Sequence, residues 1–335
     1  MPQKVCLIPG DGIGPEVAGA ARKVIAASGA DIDWIELPAG AAAAEKYGDV
    51  LPEETIDAIR AHKIALKGPV TTPIGKGFQS VNVQLRKKLN LYAAVRPVRT
   101  MPGIKTRYEN VEIVVIRENT EGLYSGIENE IIPGVVTSLK VATRHACERI
   151  ARFAFEYARE RNRRKVTVFH KANIMKLSDG LILDCARRIH EDYSDIEYNE
   201  LIIDNGCMQM VRNPEQFDVL LLENLYGDLM SDLCAGLVGG LGVVPGSNIG
   251  DDCAVFEAVH GSAPDLAGKD RANPLALIMS GVMMLNHLGM TECAEKIKQA
   301  YDGVLADGKP EEITRDIGGQ ASASQFVESL LKRIA

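Results

Sequence analysis

The sequence predicts an α/β protein with a large, mixed and mostly parallel sheet. Short apolar runs of strand length alternate with longer amphipathic stretches along the 335 residues, and this alternation is typical of parallel β-α units. The chain is 46% hydrophobic and 25% charged, which is enough apolar material for a buried core. Its length favours roughly two domains.

The first strand and helix are predicted on either side of a glycine-rich turn. Residues 5–9 form an apolar run, and residues 15–28 an amphipathic stretch with a proline and a glutamate in its first turn. The three glycines of residues 10–14 favour either a phosphate-binding turn or an ordinary tight turn. Their spacing is not the G-x-G-x-x-G of common dinucleotide-binding proteins. A standard Rossmann fold is therefore not predicted.

The later elements repeat this alternation with one exception. Buried strands are predicted at residues 64–67, 111–117, 166–170 and 219–222, each followed by loop residues and a helical pattern. The exception is the segment of about residues 125–141, which carries β-branched residues around Pro133-Gly134 and is predicted as an exposed hairpin. Such an arm is suited to clasping another subunit, and a plain surface hairpin is an equal alternative.

Charge and cysteine content exclude some functions. A net charge of −7 argues against binding to nucleic acid or to an anionic membrane. No apolar run approaches the roughly 20 residues of a membrane span, and the apolar run near the start is too short for a signal peptide. The seven cysteines are scattered without a Cys-x-x-Cys pair, which favours free thiols in a reducing compartment. We therefore expect a cytoplasmic protein.

Two aspartates four residues apart indicate a metal site. On a helix Asp228 and Asp232 share one face, and a glycine-rich apolar run follows at residues 235–242. Neighbouring carboxylates repel each other unless a cation lies between them, and oxygen ligands suit Mg²⁺ or Mn²⁺. Asp204, after an apolar run, is a candidate third ligand. The alternative is an acidic first turn that stabilises the helix dipole.

Basic residues indicate an anionic substrate. Arg86 and Arg96 lie in a mixed basic and apolar segment, and Arg117 directly follows three apolar residues, where its charge needs a partner. Converging arginines favour a di- or tricarboxylate, although a solvated basic helix face is possible. Lys171 at the end of a predicted strand is a candidate base, and the phenol of Tyr124 a candidate acid. Either residue could instead be structural.

Together these segments resemble the β-decarboxylating dehydrogenases, the family of isocitrate, 3-isopropylmalate, homoisocitrate and tartrate/malate dehydrogenases. The resemblance runs from the turn at residues 10–16 to residues 316–319, and its most specific block is residues 224–242. It implies the two-domain isocitrate/isopropylmalate dehydrogenase-type fold. The large cofactor-side domain would comprise residues 1–100 and 253–335. The small domain, residues 101–252, would carry the metal site, the dimer interface and the arm.

Within the family, residues 80–86 resemble the isocitrate dehydrogenases, in which a Ser and an Asn, here Ser80 and Asn82, bind the third carboxylate of the substrate. Isopropylmalate enzymes have apolar residues there. The resemblance thus implies NAD-dependent oxidative decarboxylation of isocitrate to 2-oxoglutarate and CO₂. Homoisocitrate or 3-isopropylmalate oxidation is the alternative, and a non-catalytic regulatory subunit is a less favoured one.

The resemblance also implies a shared site. In the family the residues matching Lys171, Asn173 and Asp204 reach into the neighbouring subunit's site, so a homodimer or higher homo-oligomer is expected. Lys171 would be the base and Tyr124 the acid. The expected substrate residues are Ser80, Asn82, Arg86, Arg96 and Arg117, and the expected metal ligands are Asp204, Asp228 and Asp232.

The cofactor loop at residues 260–265 resembles that of the NAD-dependent members, in which it wraps the adenosine. NADP enzymes of the isocitrate branch carry Lys where this chain has Asp265, and Tyr where it has Leu266. A carboxylate accepts hydrogen bonds from ribose hydroxyls but repels a 2′-phosphate, so NAD is expected. Arg315 lies near where the NADP enzymes recruit phosphate ligands. The expected cofactor residues are Ile13, Thr71, Thr72, Asn173, Glu257, His260, Gly261, Ala263, Asp265, Asn273 and Asp316.

Overall fold

The structure is a computed structural model that describes residues 2–72 and 79–335. The strands in this part are β1 (Gln3–Ile8), β2 (Ile32–Glu36), β3 (Ile64–Lys67), β4 (Ala93–Arg99), β5 (Glu112–Glu118), β6 (Glu128–Ile132), β7 (Val135–Ser138), β8 (Lys165–His170), β9 (Glu197–Ile202), β10 (Val219–Leu222), β11 (Pro245–Ile249) and β12 (Ala254–Ala258). The α-helices are α1 (Gly14–Ala27), α2 (Ala41–Tyr47), α3 (Glu53–His62), α4 (Val81–Lys88), α5 (Arg144–Glu160), α6 (Ser178–His190), α7 (Ile203–Arg212), α8 (Asn224–Val238), α9 (Leu275–His287), α10 (Thr291–Asp307) and α11 (Ala323–Ile334).

The main sheet has the order β2-β1-β3-β12-β11-β4-β5-β10-β8-β9. The block β2-β1-β3-β12 and the block β5-β10-β8-β9 are each parallel. The two blocks meet through antiparallel pairs that involve β4 and β11. The prediction of a large mixed, mostly parallel sheet is therefore confirmed, and two antiparallel strands lie at its middle.

The continuous apolar runs became the most buried strands. β3 and β10 coincide with the predicted ranges 64–67 and 219–222, and every residue of both strands is buried. Helices cover both faces of such strands, so no alternation with polar residues is needed. β4 and β11 were not predicted, because each carries proline and polar residues within a short segment. Their arginine and asparagine side chains become important at the site described below.

Two sets of helices cover the sheet. α1, α9, α10 and α11 pack together over one half, and α5 pairs with α6 over the other. Both cores are mainly aliphatic. The sheet continues across the predicted domain boundary near residue 100 through the pairing of β4 with β5. The division into two domains stays a prediction. Within the described residues, no helix combines the length and apolar character needed to cross a membrane.

The segment predicted as an arm forms a separate two-stranded sheet of β6 and β7. The turn between them contains Gly134 with φ of +83°, a left-handed conformation that glycine adopts at little cost. Apolar side chains remain exposed on both strands, with Ile131 and Val136 each 63% exposed. The hairpin is confirmed. Its apolar surface is suited to contact with another chain, and that role stays a prediction.

The glycine turn at residues 10–14 serves a close approach of backbone segments. A Cβ on Gly10 would lie 2.0 Å from the carbonyl oxygen of Pro69, and one on Gly12 would lie 2.1 Å from that of Ser262. The amide of Ile13 donates to the same Ser262 oxygen at 2.9 Å. The turn therefore holds the expected cofactor loop against the start of α1, as a tight turn does.

Gly12→Ala should lower the free energy of unfolding by about 2 kcal/mol or more, because a clash with backbone adds to the left-handed strain. Gly29→Ala is the matched control, since Gly29 also has positive φ but has no atom within 4 Å of its Cβ position. It should lose only about 1 kcal/mol. Urea denaturation measures both values. Equal losses would show that the close contact at Gly12 is unimportant.

Candidate active site

One face of α8 carries the polar side chains around which the site is built. Glu223 caps the helix by accepting from the Tyr226 amide at 2.9 Å. The polar side chains along this face of the first two turns are those of Asn224, Asp228, Ser231 and Asp232. Their spacing brings them onto one side of a helix, which here faces β4 and β5. The two predicted metal aspartates are thus on the same helical face, as expected.

Arg117 at the end of β5 is the buried counter-charge for this face. Its side chain is 1% exposed. The guanidinium donates to Asn224 Oδ1 from Nε at 3.1 Å and from Nη2 at 2.6 Å, and from Nη1 to Asp228. Gly227 lets the side chain pass, because a Cβ there would lie 2.5 Å from Arg117 Cγ. The predicted need of Arg117 for a partner is therefore met by α8.

Arg96 projects from β4 toward the same helix. It is 7% exposed, and its Nη1 donates to Ser231 Oγ at 2.6 Å. The same nitrogen lies 3.9 Å from Asp228 Oδ1 and 3.8 Å from Asp232 Oδ1. Burial lowers the pKa of Arg96 and of Arg117 below the usual value. Two buried cations and two carboxylates thus share one small volume.

Tyr124 donates its hydroxyl to Asp228 Oδ2 at 2.5 Å. Burial and the bond to this carboxylate raise the pKa of Tyr124, so the phenol keeps its proton at neutral pH. Burial opposes the charge on Asp228, but Arg117, the Tyr124 hydroxyl and Arg96 together lower its pKa. The site therefore contains an ionised carboxylate beside a protonated phenol, an arrangement suited to an acid and a cation ligand.

A cavity of 220 Å³ opens between these residues and α4. Ser80 and Asn82, at the start of α4, line it together with Arg86. Asn82 Oδ1 is buried and has no hydrogen-bond partner within the described residues. The predicted substrate residues thus come together, although they are far apart in sequence. The cavity is lined by Ser80, Asn82, Val83, Arg86, Arg96, Tyr124, Asp228, Asp232 and Val259.

Glu257, expected at the cofactor, belongs to a buried network behind Arg86. Its carboxylate lies 2.7 Å from Lys67 Nζ and 3.4 Å from Arg86 Nη2, and it accepts from Asn248 Nδ2 at 2.7 Å. Burial opposes its charge, but Lys67, Arg86 and Asn248 overcome that effect and lower the pKa of Glu257 to about 2. Glu257 thus holds one of the cavity's arginines in place.

Lys171 and Asp204 form a pair of their own. Lys171 Nζ donates to Asp204 Oδ1 at 2.6 Å, and neither side chain lines the 220 Å³ cavity. The bond from Lys171 lowers the pKa of Asp204. Asn173 follows on the exposed loop after β8. Among the described residues, no three His, Cys, Asp or Glu side chains are grouped closely enough to hold a metal. Asp228 and Asp232 are therefore the two carboxylates that one chain brings to its own cavity.

Several expected cofactor residues meet around one loop. Ser262 lies at its centre, receiving the Ile13 amide and sharing a 2.6 Å hydroxyl contact with Thr71. Thr72 accepts from the Val81 amide at the start of α4. This arrangement connects the expected cofactor loop directly to the helix that carries Ser80 and Asn82.

The remaining expected cofactor residues lie on or beside the same loop. Asn273 Nδ2 donates to Asp316 Oδ2 at 2.9 Å. His260 Nδ1 contacts the Gly261 carbonyl, and its buried Nε2 has no partner among the described residues. Ala263 has φ of +36°, and the side chain of Asp265 is exposed. These groups could receive the adenosine half of a dinucleotide.

Sequence reasoning missed Asn224, Ser231 and Asp11. The first two could have been found, because they lie three or four residues from an aspartate on the same helical face. Asp11 accepts from the Thr71 amide at 2.7 Å and from the Ala41 amide at 3.0 Å. Those partners are 60 and 30 residues away, so no local pattern indicates them.

Known proteins resemble the whole chain. Residues 4–330 match the family model described as isocitrate/isopropylmalate dehydrogenase. The mitochondrial isocitrate dehydrogenase (NAD) catalytic subunit 5 of Arabidopsis thaliana is 52% identical over 330 residues, 98% of this chain and 88% of the relative. One of the proteins named as regulatory for mitochondrial isocitrate dehydrogenase (NAD), from Dictyostelium discoideum, is 52% identical over 333 residues, 99% of this chain and 92% of the relative. The crystal structure of isocitrate dehydrogenase from Methylococcus capsulatus has a TM-score of 0.95 and 50% identity over 99% of both chains.

The expectation of a cytoplasmic location is wrong. The relatives from Arabidopsis thaliana and Dictyostelium discoideum are both named as mitochondrial proteins. The expectation depended on scattered cysteines, which are free and mostly buried as predicted. Free thiols are compatible with any reducing compartment, so this feature does not distinguish one such compartment from another.

Glu257→Gln should flatten the acid dependence of stability. The depressed pKa of Glu257 contributes stability that is complete above the ordinary value of 4.5 and is lost as pH falls toward 2. The advantage of the wild type over the variant should therefore shrink by about 2 kcal/mol between pH 6 and pH 3. Denaturant unfolding at each pH measures it, with exposed Glu54→Gln as control. An advantage that does not change with pH would contradict the assignment.

Proposed function

We propose that this chain, which belongs to the isocitrate/isopropylmalate dehydrogenase family, catalyses NAD-dependent oxidative decarboxylation of isocitrate to 2-oxoglutarate and CO₂. One observation carries the proposal. The 220 Å³ cavity combines three arginines with two carboxylates, a protonated phenol and the polar start of α4. Arginines bind carboxylates, the aspartates suit a divalent cation, and a phenol can protonate carbon. Named relatives that act as isocitrate dehydrogenases support it.

The polar start of α4 favours isocitrate over 3-isopropylmalate. The buried Asn82 Oδ1 is without a partner among the described residues, and Ser80 lines the same cavity. An isopropyl group would leave both side chains unpaired, at about 1–3 kcal/mol for each buried polar group. Homoisocitrate has the same carboxylates on a longer chain, so it remains the nearer alternative.

The carboxylates fit Mg²⁺ or Mn²⁺. The Asp232 side chain is 59% exposed, and its nearest cation, Arg96, stays 3.8 Å away. Its oxygens are therefore free to bind a metal, and Asp228 is held ionised. Such a cation, when bound, supplies Lewis-acid polarisation of substrate oxygens. We assign the third ligand to the partner subunit's Asp204.

The chain's own residues then move protons and orient the substrate. Arg86, Arg96 and Arg117 bind its carboxylates, while NAD⁺, when bound, supplies the hydride acceptor. The partner subunit's Lys171 accepts the proton of the substrate hydroxyl. The bond to the β-carboxylate breaks, CO₂ leaves, and the electron pair stays on the substrate carbon as an enolate. Tyr124 protonates that carbon, a role that its raised pKa supports.

We infer a homodimer or higher homo-oligomer. Lys171 and Asp204 do not line the cavity of their own chain, so a second copy would be needed to bring them there. Apolar side chains also stay exposed near these elements, including Leu177 at 90%, Ile174 at 69% and Leu229 at 63%. Exposed patches of this kind favour an interface, and the β6-β7 hairpin extends the same apolar character.

A regulatory subunit is the second candidate, because one relative carries that name. Such a subunit would bind ligands at this site without turning them over. The presence of both metal aspartates, Tyr124, Lys171 and Asp204 favours catalysis instead. Turnover by the purified chain distinguishes the two.

The purified chain with Mn²⁺ should oxidise isocitrate with NAD⁺ at least about 10-fold more efficiently than homoisocitrate or 3-isopropylmalate. NAD⁺ should be preferred over NADP⁺ by at least about 100-fold in kcat/KM, because Asp265 repels the 2′-phosphate. Combining Asp265→Lys with Leu266→Tyr should reduce that preference, and exposed Asp33→Lys, with the same charge change, should not. Equal use of both cofactors would show that Lys269, Arg271 or Arg315 outweighs Asp265. Absent turnover would favour the regulatory alternative.

Asp232→Asn should raise the Mn²⁺ concentration needed for half-maximal activity by at least about 10-fold. Its exposure and single distant ion pair mean that the folded state should be almost as stable as before. Asp57→Asn on α3, which also removes an aspartate paired with an arginine, is the control. Manganese titration and thermal unfolding measure the two effects. An unchanged Mn²⁺ requirement would remove Asp232 from the metal site.

Mixing two inactive variants should restore activity if the site is shared between subunits. Refolded together, Lys171→Met and Asp228→Asn subunits form mixed dimers in which one site is intact, so about a quarter of wild-type activity should return. Lys171→Met mixed with Asp204→Asn is the control, because both residues would serve the same neighbouring site. It should stay inactive. If the first mixture also stays inactive, the sites are contained within single chains.

A further inference from the structure

A second cavity lies behind the substrate cavity, on the opposite face of β4 and β11. It has a volume of 380 Å³. Val95 of β4 and Ser247 of β11 line it, whereas their neighbours Arg96 and Asn248 belong to the polar networks on the other face. Successive side chains of a strand point to opposite faces. The two cavities are therefore separated by one thickness of the central sheet.

The walls of this rear cavity are apolar and aromatic. α5 contributes Phe153 and Tyr157, whose rings stack with centroids 6.3 Å apart. Opposite them stand Met283 of α9 and the buried ring of Phe256 from β12. A cavity of this size with such walls can enclose an aromatic ring, and the faces of aromatic rings attract cations.

Polar groups without protein partners face the cavity. Ser247 is only 3% exposed, and its hydroxyl makes no hydrogen bond in the part of the chain that the structure describes. The same holds there for the Tyr157 hydroxyl and the Asn286 amide. Buried polar groups ordinarily find partners, so unpaired ones around an apolar floor favour a ligand.

The rim of the cavity carries more negative than positive charge. Glu156 and Glu160 stand one turn apart on α5 and face a single guanidinium, that of Arg161, which lies 5.8 Å from the centroid of the Tyr157 ring. Glu156 accepts one bond, from Tyr193 at 3.3 Å. Burial lowers the pKa of His287, so this imidazole is neutral at pH 7. The rim therefore attracts a cation and repels an anion.

We propose that the rear cavity binds a small organic ammonium ion with an aromatic body. The ring lies between the stacked pair Phe153–Tyr157 and the apolar side chains of Phe256 and Met283. The ammonium group lies at the rim beside Glu156 and Glu160. This site is distinct from the substrate cavity and does not depend on the proposed reaction. Its negative rim excludes tricarboxylates and nucleotide phosphates.

Fluorine NMR with 4-fluorophenethylamine tests the proposal on the intact protein. The amine should bind saturably at millimolar concentration, and 4-fluorophenylacetate, which has the same ring and the opposite charge, should bind at least about 10-fold more weakly. Isocitrate at saturation should not displace the amine, and Asp232→Asn should not change its affinity, because that carboxylate lies on the other face of the sheet. Displacement by isocitrate, or equal binding of amine and acid, would overturn the proposal.

Variants of the rim and wall locate the binding. Glu156→Gln combined with Glu160→Gln should weaken amine binding by at least about fivefold. Met283→Trp should abolish it by filling the cavity. Glu148→Gln, on the same helix but paired with Arg188, is the control and should leave binding unchanged. Unaltered melting temperature and isocitrate oxidation establish that each variant is folded. If Met283→Trp does not fold, Ser247→Val replaces it. Unchanged amine binding in the glutamate and wall variants would contradict the site.

Discussion

The buried guanidinium of Arg117 holds the polar face of α8 against the end of β5. An arginine that is 1% exposed is costly without partners. Here Asn224 and Asp228 take three of its donors. The absence of a side chain at Gly227 lets the two elements approach. Removing any of these groups would leave a buried charge unpaired, so the interaction fixes where the first turns of α8 lie. Asp228, Asp232 and their contacts with Arg96 and Tyr124 depend on that position.

The central strands β4 and β11 serve two sides of the molecule. Their polar residues, Arg96 and Asn248, contribute to the substrate cavity and to the Lys67–Glu257 network behind Arg86. Their alternate residues form the floor of the rear cavity. Because these strands are antiparallel to their neighbours, they also join the two parallel blocks of the sheet. The same short segments thus connect the halves of the fold and position the arginines.

Much of the fold could be predicted from local pattern. β3 and β10 are continuous apolar runs, and burial on both faces is what such runs require. The hairpin of β6 and β7 was indicated by β-branched residues around Pro133-Gly134. β4 and β11 were missed because an arginine, a proline and a glycine interrupt them. Their pairing depends on partners distant in sequence, which no local pattern shows.

Much of the candidate site was also indicated by the sequence. Asp228 and Asp232 share a face because four residues make about one helical turn, and Arg117 after an apolar run required a buried partner. Only the tertiary structure decided which partner it has, that Glu257 lies in a buried network with Lys67, and that Lys171 pairs with Asp204 away from the cavity. Periodicity and residue chemistry act over a few residues, and so the sequence by itself determined which side chains are available on each element. Which of them meet depends on how strands and helices distant in the chain pack together, and that is decided by burial over the whole fold.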